Sequence, residues 1–260
     1  MIGESLIMTS KKILIYVVAY NASKHIVSVL ETIPYDSLNQ YEVLVSDDFS
    51  TDNSSEIVTK YQQKNLDKKI KLITQEKNLG YGGNQKFGYQ YAIDNGFFVV
   101  VLIHGDGQYS PKLIPQIIDP ILNDDFDVML GSRMINKKSA LQGGMPLYKF
   151  VGNIILTKVQ NLILRVSLSE YHTGLRAYKI EAISHIPFQY NNDGFSFDTD
   201  ILIQLIDRKA RIGEVHIPTH YGDEICRVNG IKYALEIILA TVLSRAQRLG
   251  IYNCKKFKID

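Results

Sequence analysis

The sequence predicts an α/β protein with a mainly parallel central sheet, Rossmann-like in plan and flanked by helices. Three observations carry this prediction. Short β-rich runs alternate with helical patterns through the first half of the chain. The runs are apolar at nearly every position, as strands buried on both faces are, rather than at every second one. No internal repeat or low-complexity linker interrupts the 260 residues, which reads as one continuous domain over 1–260 with an elaborated helical C-terminal part.

Each element follows in order. "KILIYVVAY" (12–20) reads as the first strand, followed by the amphipathic "ASKHIVSVLETI". "YEVLVSD" (41–47) precedes "NSSEIVTKYQQK", with Asp52 or Asn53 placed to cap that helix. "KIKLIT" (69–74) precedes "GYGGNQKFGYQYAIDNG", and "FFVVVLIHGD" (97–106) precedes "PKLIPQIIDPIL". "FDVMLGSR" (126–133) is a further strand ending in a polar turn. Beyond it the rhythm changes: "GGMPLYKFVGNIILTKVQNLILRV" opens as a loop and continues as an apolar-rich helix. "TGLRAYKIEAI" and "ARIGEVHIPTHY" supply later strands. The last long element, "IKYALEIILATVLSRAQRLGI", puts Ile231, Leu235, Ile238, Leu239, Val242, Ala246 and Leu249 on one helical face.

Composition excludes several classes. With 29 Lys+Arg against 27 Asp+Glu there is no global basic field, so nucleic acid is not an expected partner. Cys226 and Cys254 lie apart without metal-ligand spacing, which suits a reducing, cytoplasmic setting. "KKILIYVVAYN" lacks a cleavage site and reads as a strand rather than a signal peptide. The nearest approach to a membrane span, "VGNIILTKVQNLILRV", is broken by Asn153, Lys158, Gln160 and Asn161.

In open parallel sheets, ligands sit at the carboxyl ends of the strands. Those ends here carry "AYNAS", "SDDFSTD", "HGDGQ" and "GSR". Asp47 and Asp48 suit either a turn or cap or the acceptance of a base or ribose hydrogen bond. Gly80, Gly82 and Gly83 allow close backbone approach, or simply a loose helix entry. There is no G-x-G-x-x-G turn and no Walker lysine loop.

Taken in order, "VVAYNAS", "VSDDFSTDNS", "NLGYGGNQKFGYQYA", "HGDGQYSP", "GSR", "TGLRAY" and "RVNGIK" resemble family 2 glycosyltransferases, in particular the polyprenyl-phosphate sugar synthases typified by dolichyl-phosphate mannose synthase. The resemblance runs from about residue 12 to about 233. It implies a GT-A fold, a nucleotide-sugar donor, a divalent metal (Mn²⁺ or Mg²⁺) and inversion at the anomeric carbon. On it, about 12–133 forms the donor part and about 134–250 the acceptor side.

By the same resemblance, Tyr20 and Asp48 hold the nucleoside, Val18 and Ser46 offer backbone contacts, and Gly80 and Gly105 line the donor. Asp106 is the principal metal carboxylate and Gln108 stands where the family has a glutamine. His104 replaces the first aspartate of the usual D-x-D, so it is either a ligand favouring Mn²⁺ or a hydrogen-bonded neighbour. Arg133 faces a phosphate, and Arg227 and Lys232 match a loop over the diphosphate in which Ile231 replaces a hydroxyl residue. Arg176 is either acceptor-facing or structural. In "FSFDTDIL", Asp198 and Asp200 are either helix N-terminal carboxylates or the site of a base, with Asp200 preferred.

The expected reaction moves a hexose from a GDP-mannose or UDP-glucose type donor to a polyprenyl phosphate. Two alternatives stand beside it: transfer to a saccharide hydroxyl in polysaccharide or glycolipid synthesis, and a non-catalytic nucleotide-sugar-binding protein. A polyprenyl acceptor implies peripheral contact with the inner membrane face. The candidates are the helix near 147–166 and the C-terminal helix with its basic tail, unless their apolar faces pack on the core.

Overall fold

The computed structural model describes residues 11–219 and 229–259. Its centre is a seven-stranded sheet made of β1 (Ile13–Ala19), β2 (Tyr41–Asp47), β3 (Ile70–Thr74), β4 (Val99–His104), β5 (Val128–Ser132), β6 (Arg176–Lys179) and β7 (Ile212–His216). The spatial order is β3-β2-β1-β4-β6-β5-β7. β6 runs antiparallel to both its neighbours, and every other pairing is parallel. Every strand expected from the sequence is present, and the mainly parallel class holds.

The helices are α1 (Ile26–Thr32), α2 (Ser54–Lys64), α3 (Tyr81–Asp94), α4 (Ile114–Leu122), α5 (Lys137–Gln142), α6 (Leu147–Leu164), α7 (Ile180–Ser184), α8 (Phe197–Asp207) and α9 (Gly230–Arg248). They cover both faces of the sheet. Along β1 the side chains alternate between two cores, as strand geometry requires. Ile13, Ile15 and Val17 pack with Ile26, Leu30 and Val58 of α1 and α2 and with Ile117 and Ile121 of α4. Leu14 and Tyr16 pack on the other face with Tyr89 of α3 and with Phe197 and Ile201 of α8.

Two local details connect sequence to packing. Asp52, rather than Asn53, serves the start of α2: its carboxylate accepts from the Ser54 N–H at 3.0 Å and the Ser23 N–H at 3.1 Å. Gly88 faces the ring of Tyr16, whose hydroxyl donates to Asn84 O at 2.6 Å. A Cβ at Gly88 would fall on that ring.

Gly88→Ala therefore sets a helix-propensity gain of about 1 kcal/mol against overpacking of a ring that cannot move without losing its hydrogen bonds. The expected net loss is about 1–2 kcal/mol in urea unfolding. Gly152→Ala in α6, where nothing lies within 4 Å of the new Cβ, should instead gain up to about 1 kcal/mol. Equal effects at the two sites would refute the packing argument.

Candidate functional site

β1 lies where the strand order reverses, with β2 on one side and β4 on the other, so a crevice opens at its carboxyl end. The register sets Val18 level with both Ser46 and His104. Val18 O accepts the Gly105 N–H at 2.8 Å, and Ala19 O accepts the Asp48 N–H at 2.8 Å. The sheet's own bonds thus bring Tyr20, Asp48 and Asp106 out at one edge. A Cβ at Gly105 would stand 3.1 Å from Ile26 Cδ1, so that position is tightly confined.

Asp106 is exposed, and its Oδ1 accepts the Gln108 N–H at 3.0 Å. Gly107 turns the chain there with φ +78°. Among the described residues no group of three or more His, Cys, Asp or Glu is placed to hold a metal alone. A solvent-facing carboxylate on a turn nevertheless fits a hard divalent cation of the kind bound through one or two carboxylates plus substrate phosphates.

Asp48 ties two loops together. Its carboxylate accepts from the N–H groups of Leu79 at 2.7 Å and Gly80 at 3.1 Å, and its carbonyl accepts from Asn78 Nδ2 at 3.1 Å. Burial raises its pKa, although those backbone donors pull the other way. Gly80 reaches this position with φ +79°, a conformation that favours glycine. Asp47 serves the turn, accepting from the hydroxyls of Ser50 and Ser55. Ser46 is fully buried: its Oγ donates to Asn84 Oδ1 at 2.6 Å and its carbonyl accepts from Asn84 Nδ2 at 3.2 Å. The backbone contact expected of Ser46 is therefore already made internally.

His104 joins a buried chain. Tyr81 Oη donates to Asp198 Oδ2 at 2.8 Å and lies 3.2 Å from His104 Nε2. Because the phenol proton goes to the carboxylate, its oxygen accepts from His104, which selects the Nε2–H tautomer. Burial, with Asp198 alongside, pushes the Tyr81 phenol well above its ordinary value and keeps it a neutral donor. The geometry is that of the hydrogen-bonded neighbour for this ring nitrogen. Gly174 of "TGLRAY" is small because a Cβ there would meet the His104 ring.

Asp198 also accepts from Gln85 Nε2 at 3.0 Å and lies 3.6 Å from the Arg176 guanidinium. Arg176 is fully buried and donates to the carbonyls of Thr173 (2.7 Å), Tyr171 (2.6 Å) and Asp198 (2.8 Å). Its role is structural.

The preferred base, Asp200, faces elsewhere. It is fully buried, accepts from Lys256 Nζ at 2.9 Å on both oxygens and takes the Asn192 N–H at 3.1 Å. Burial raises its pKa against the opposing charge of Lys256. Asp198, two residues earlier, is the carboxylate on the His104 side. Arg133 is likewise engaged. It pairs with Glu170, through Nε at 3.1 Å and the backbone N–H at 2.8 Å, and donates to His172 O at 2.8 Å. Lys232 is largely exposed at the start of α9, 3.9 Å from Glu236. Arg227 lies outside the described residues.

Sequence reasoning missed Tyr81, Gln85 and Glu170. The i, i+4 spacing of Tyr81 and Gln85 at the start of a helix could have suggested a shared target. Glu170 carried a subtler signal, being the first acidic residue after Asp127.

A mainly parallel sheet with an exposed carboxylate on a glycine turn at its switch point fits a glycosyltransferase of the GT-A class. The chain belongs to glycosyl transferase family 2, whose description matches residues 14–186. It is 30% identical over 226 residues to the UDP-N-acetylglucosamine–dolichyl-phosphate N-acetylglucosaminyltransferase of Methanococcus voltae, covering 83% of this chain and 88% of that one. It is 26% identical over 256 residues to a dolichyl-phosphate beta-glucosyltransferase of Trichomonas vaginalis, covering 91% and 72%. Among solved structures, glucosyl-3-phosphoglycerate synthase of Mycobacterium tuberculosis bound to UDP superposes with a TM-score of 0.67 at 16% identity, covering 94% and 82%. The same enzyme with Mn²⁺, UDP and glucosyl-3-phosphoglycerate gives 0.62 at 15% identity, again covering 94% and 82%. These likenesses establish the GT-A fold.

The Arg133–Glu170 pair makes a pH-dependent prediction. Burial opposes ionisation of Glu170, but the charge of Arg133 and hydrogen bonds from Arg133 and Asn153 outweigh it and hold the carboxyl below its ordinary 4.5. The pair's contribution is complete above that value and lost as pH falls through the lowered folded-state pKa. Glu170→Gln leaves a buried guanidinium without its counter-charge and should cost about 3–5 kcal/mol near neutrality. In urea titrations the gap to wild type should close as pH falls below 4.5. A gap independent of pH would contradict the pairing.

Proposed function

We propose that the protein transfers a hexose from a nucleoside-diphosphate sugar, of the UDP-glucose or GDP-mannose type, to a polyprenyl phosphate, with inversion at the anomeric carbon. An acceptor phosphate oxygen attacks the anomeric carbon as the bond to the nucleoside diphosphate breaks. The observation that carries the choice of acceptor is the state of the two "FDTD" carboxylates. Asp200 is sealed against Lys256, and Asp198 is held by Tyr81, Gln85 and Arg176. A sugar hydroxyl needs a carboxylate base, whereas a phosphate monoester is already ionised at neutral pH. The names of the Methanococcus and Trichomonas relatives, both dolichyl-phosphate enzymes, support the same acceptor.

In this reading about 12–133 binds the donor and about 134–250 serves the acceptor. Tyr20 and Asp48 hold the nucleoside, with Val18 and Ser46 beneath them, while Gly80 and Gly105 admit the sugar close to the backbone. Asp106, with Gln108, would hold a divalent cation, and such a cation would supply positive charge to offset that of the departing diphosphate. Lys232 and Arg227 supply further positive charge, as does Arg133 once it exchanges Glu170 for a phosphate. Among the described residues no helix is long and apolar enough to cross a membrane. In the same reading a lipid acceptor is reached peripherally, at the cytoplasmic face.

Transfer to a saccharide hydroxyl is the second reading, favoured by the position of Asp198 beside the His104 chain. Radiolabelled donor offered with a short-chain prenyl phosphate or with oligosaccharides separates the two. Product on the saccharide alone would overturn the proposal, and no product on either, with donor still bound, would favour a non-catalytic binding protein.

Asp106→Asn is nearly isosteric and lies at the surface, so the fold should persist. Calorimetric titration of nucleoside diphosphate with and without Mn²⁺ should show the Mn²⁺ enhancement fall by about tenfold or more. An unchanged enhancement would remove Asp106 from the metal site.

For His104 the relevant variant is His104→Gln, whose Nε2–H can still reach Tyr81. With that nitrogen serving as a donor, the Mn²⁺/Mg²⁺ activity ratio should remain as in wild type. A marked shift toward Mg²⁺ would restore the imidazole as a metal ligand.

A further inference from the structure

α6 and α9 are built inside out. α6 buries Asn153, Thr157 and Gln160 along with Leu164, while Leu147 and Leu162 are 68% and 80% exposed and Tyr148, Val151 and Ile155 are exposed beside them. α9 buries Thr241 and Ser244 beside Ile237 and Ala240, while Ile231 and Leu235 are 79% and 65% exposed and Leu239 and Val242 continue the stripe. The two helices pack against each other. The cost of this arrangement is visible at Gln160, fully buried with neither amide atom hydrogen-bonded. Water as the sole surroundings would favour the opposite polarity, and exposed apolar stripes of this length mark an interaction surface.

The charge along α5 and α6 has one sign, while α9 carries the Lys232–Glu236 pair beside its stripe. Between Asp127 and Glu170 the chain has no acidic residue, yet it contains Arg133, Lys137, Lys138, Lys149, Lys158 and Arg165. Exposed Lys158 and Arg165 fall in register with Ile155 and Leu162 on the outer face of α6. Lys137 and Lys138 are exposed on α5, which packs beside it. A second copy of the chain would bring these cations face to face, whereas anionic phosphates would neutralise them.

We propose that the joined outer face of α6 and α9 docks on an anionic lipid bilayer. The apolar stripes enter the boundary between headgroups and acyl chains, and Lys137, Lys138, Lys158 and Arg165 meet lipid phosphates. The proposal rests on the polyprenyl-phosphate reading, because such an acceptor resides in the bilayer and the protein must come to it. It adds the surface through which the acceptor-side half of the chain is presented to the lipid.

Flotation of the full chain with phosphatidylcholine vesicles, with and without phosphatidylglycerol, tests this at low and high salt. The wild type should float with the anionic vesicles and release as salt rises. Leu147→Glu/Ile155→Glu and Leu235→Glu/Leu239→Glu should each reduce flotation by about tenfold, while Leu66→Glu, on the turn after α2, should not. Transfer to a water-soluble short-chain prenyl phosphate should be unchanged in both double variants, showing that they fold, while transfer to vesicle-embedded acceptor falls with flotation. Absence of wild-type flotation under both salt conditions, or equal flotation of the variants, overturns the proposal. So does a dimer in sedimentation without lipid that the double variants dissociate, which would assign the face to a second copy. If the wild type ignores the soluble acceptor but floats as described, the acceptor reading fails and the docking surface stands.

Discussion

The carboxyl edge of the sheet depends on one buried charge. Arg176 begins β6, the antiparallel strand lodged between β4 and β5, and its guanidinium has no access to water. A buried guanidinium must find acceptors for its donors or the fold cannot hold it. It finds them in the carbonyls of Tyr171, Thr173 and Asp198 and in the Asp198 carboxylate. That carboxylate in turn fixes Tyr81 and Gln85 at the start of α3, and Tyr81 fixes His104 at the end of β4. A single cation thus sets the relative positions of β4, β6, α3 and α8, the elements that wall one side of the crevice.

The other wall relies on neutral and acidic groups. Asp48 binds the 78–80 loop to the end of β2, and Ser46, Asn84 and Tyr16 form a closed polar knot beneath it. Glu170 performs for Arg133 what Asp198 performs for Arg176. His172 then extends that second pair to α9 through its Nδ1 and the Tyr233 hydroxyl, 3.1 Å apart. Burial lowers the His172 pKa to about 4, so this link is made by a neutral ring near neutrality.

Much of the fold was legible because its cause is local. Strands buried on both faces must be apolar throughout, and β1, β2 and β4 advertise themselves by that alone. The position of Asp106 was legible for a related reason: a carboxylate between glycines at the end of an apolar run falls on the exposed turn where the strand stops. What escaped depends on partners distant in the chain. Asp198 and Asp200 are two positions apart on one helix and so point to different sides, but the side of each is decided by Arg176 and by Lys256, the latter 56 residues further on. The period of the C-terminal helix was readable, yet its direction was not, because periodicity locates an apolar stripe without saying what it faces. Arg133 shows the same limit, since the family resemblance pointed it at a phosphate and only the run without acidic residues before Glu170 hinted at its partner.

The glycine-rich turn at the head of α3 carries a wider consequence. In many nucleotide-binding folds such a turn leaves the first N–H groups of a helix open, and they cradle phosphate. Here the N–H groups of Gly82 (2.6 Å) and Gly83 (3.3 Å) donate to Asp193 O, and the missing side chains make room for that backbone. The helix has closed its own anion hole with protein. On the proposed function, positive potential for a diphosphate would then come from groups that can come and go, and release of a spent nucleotide would be a matter of losing ligands rather than of opening the fold.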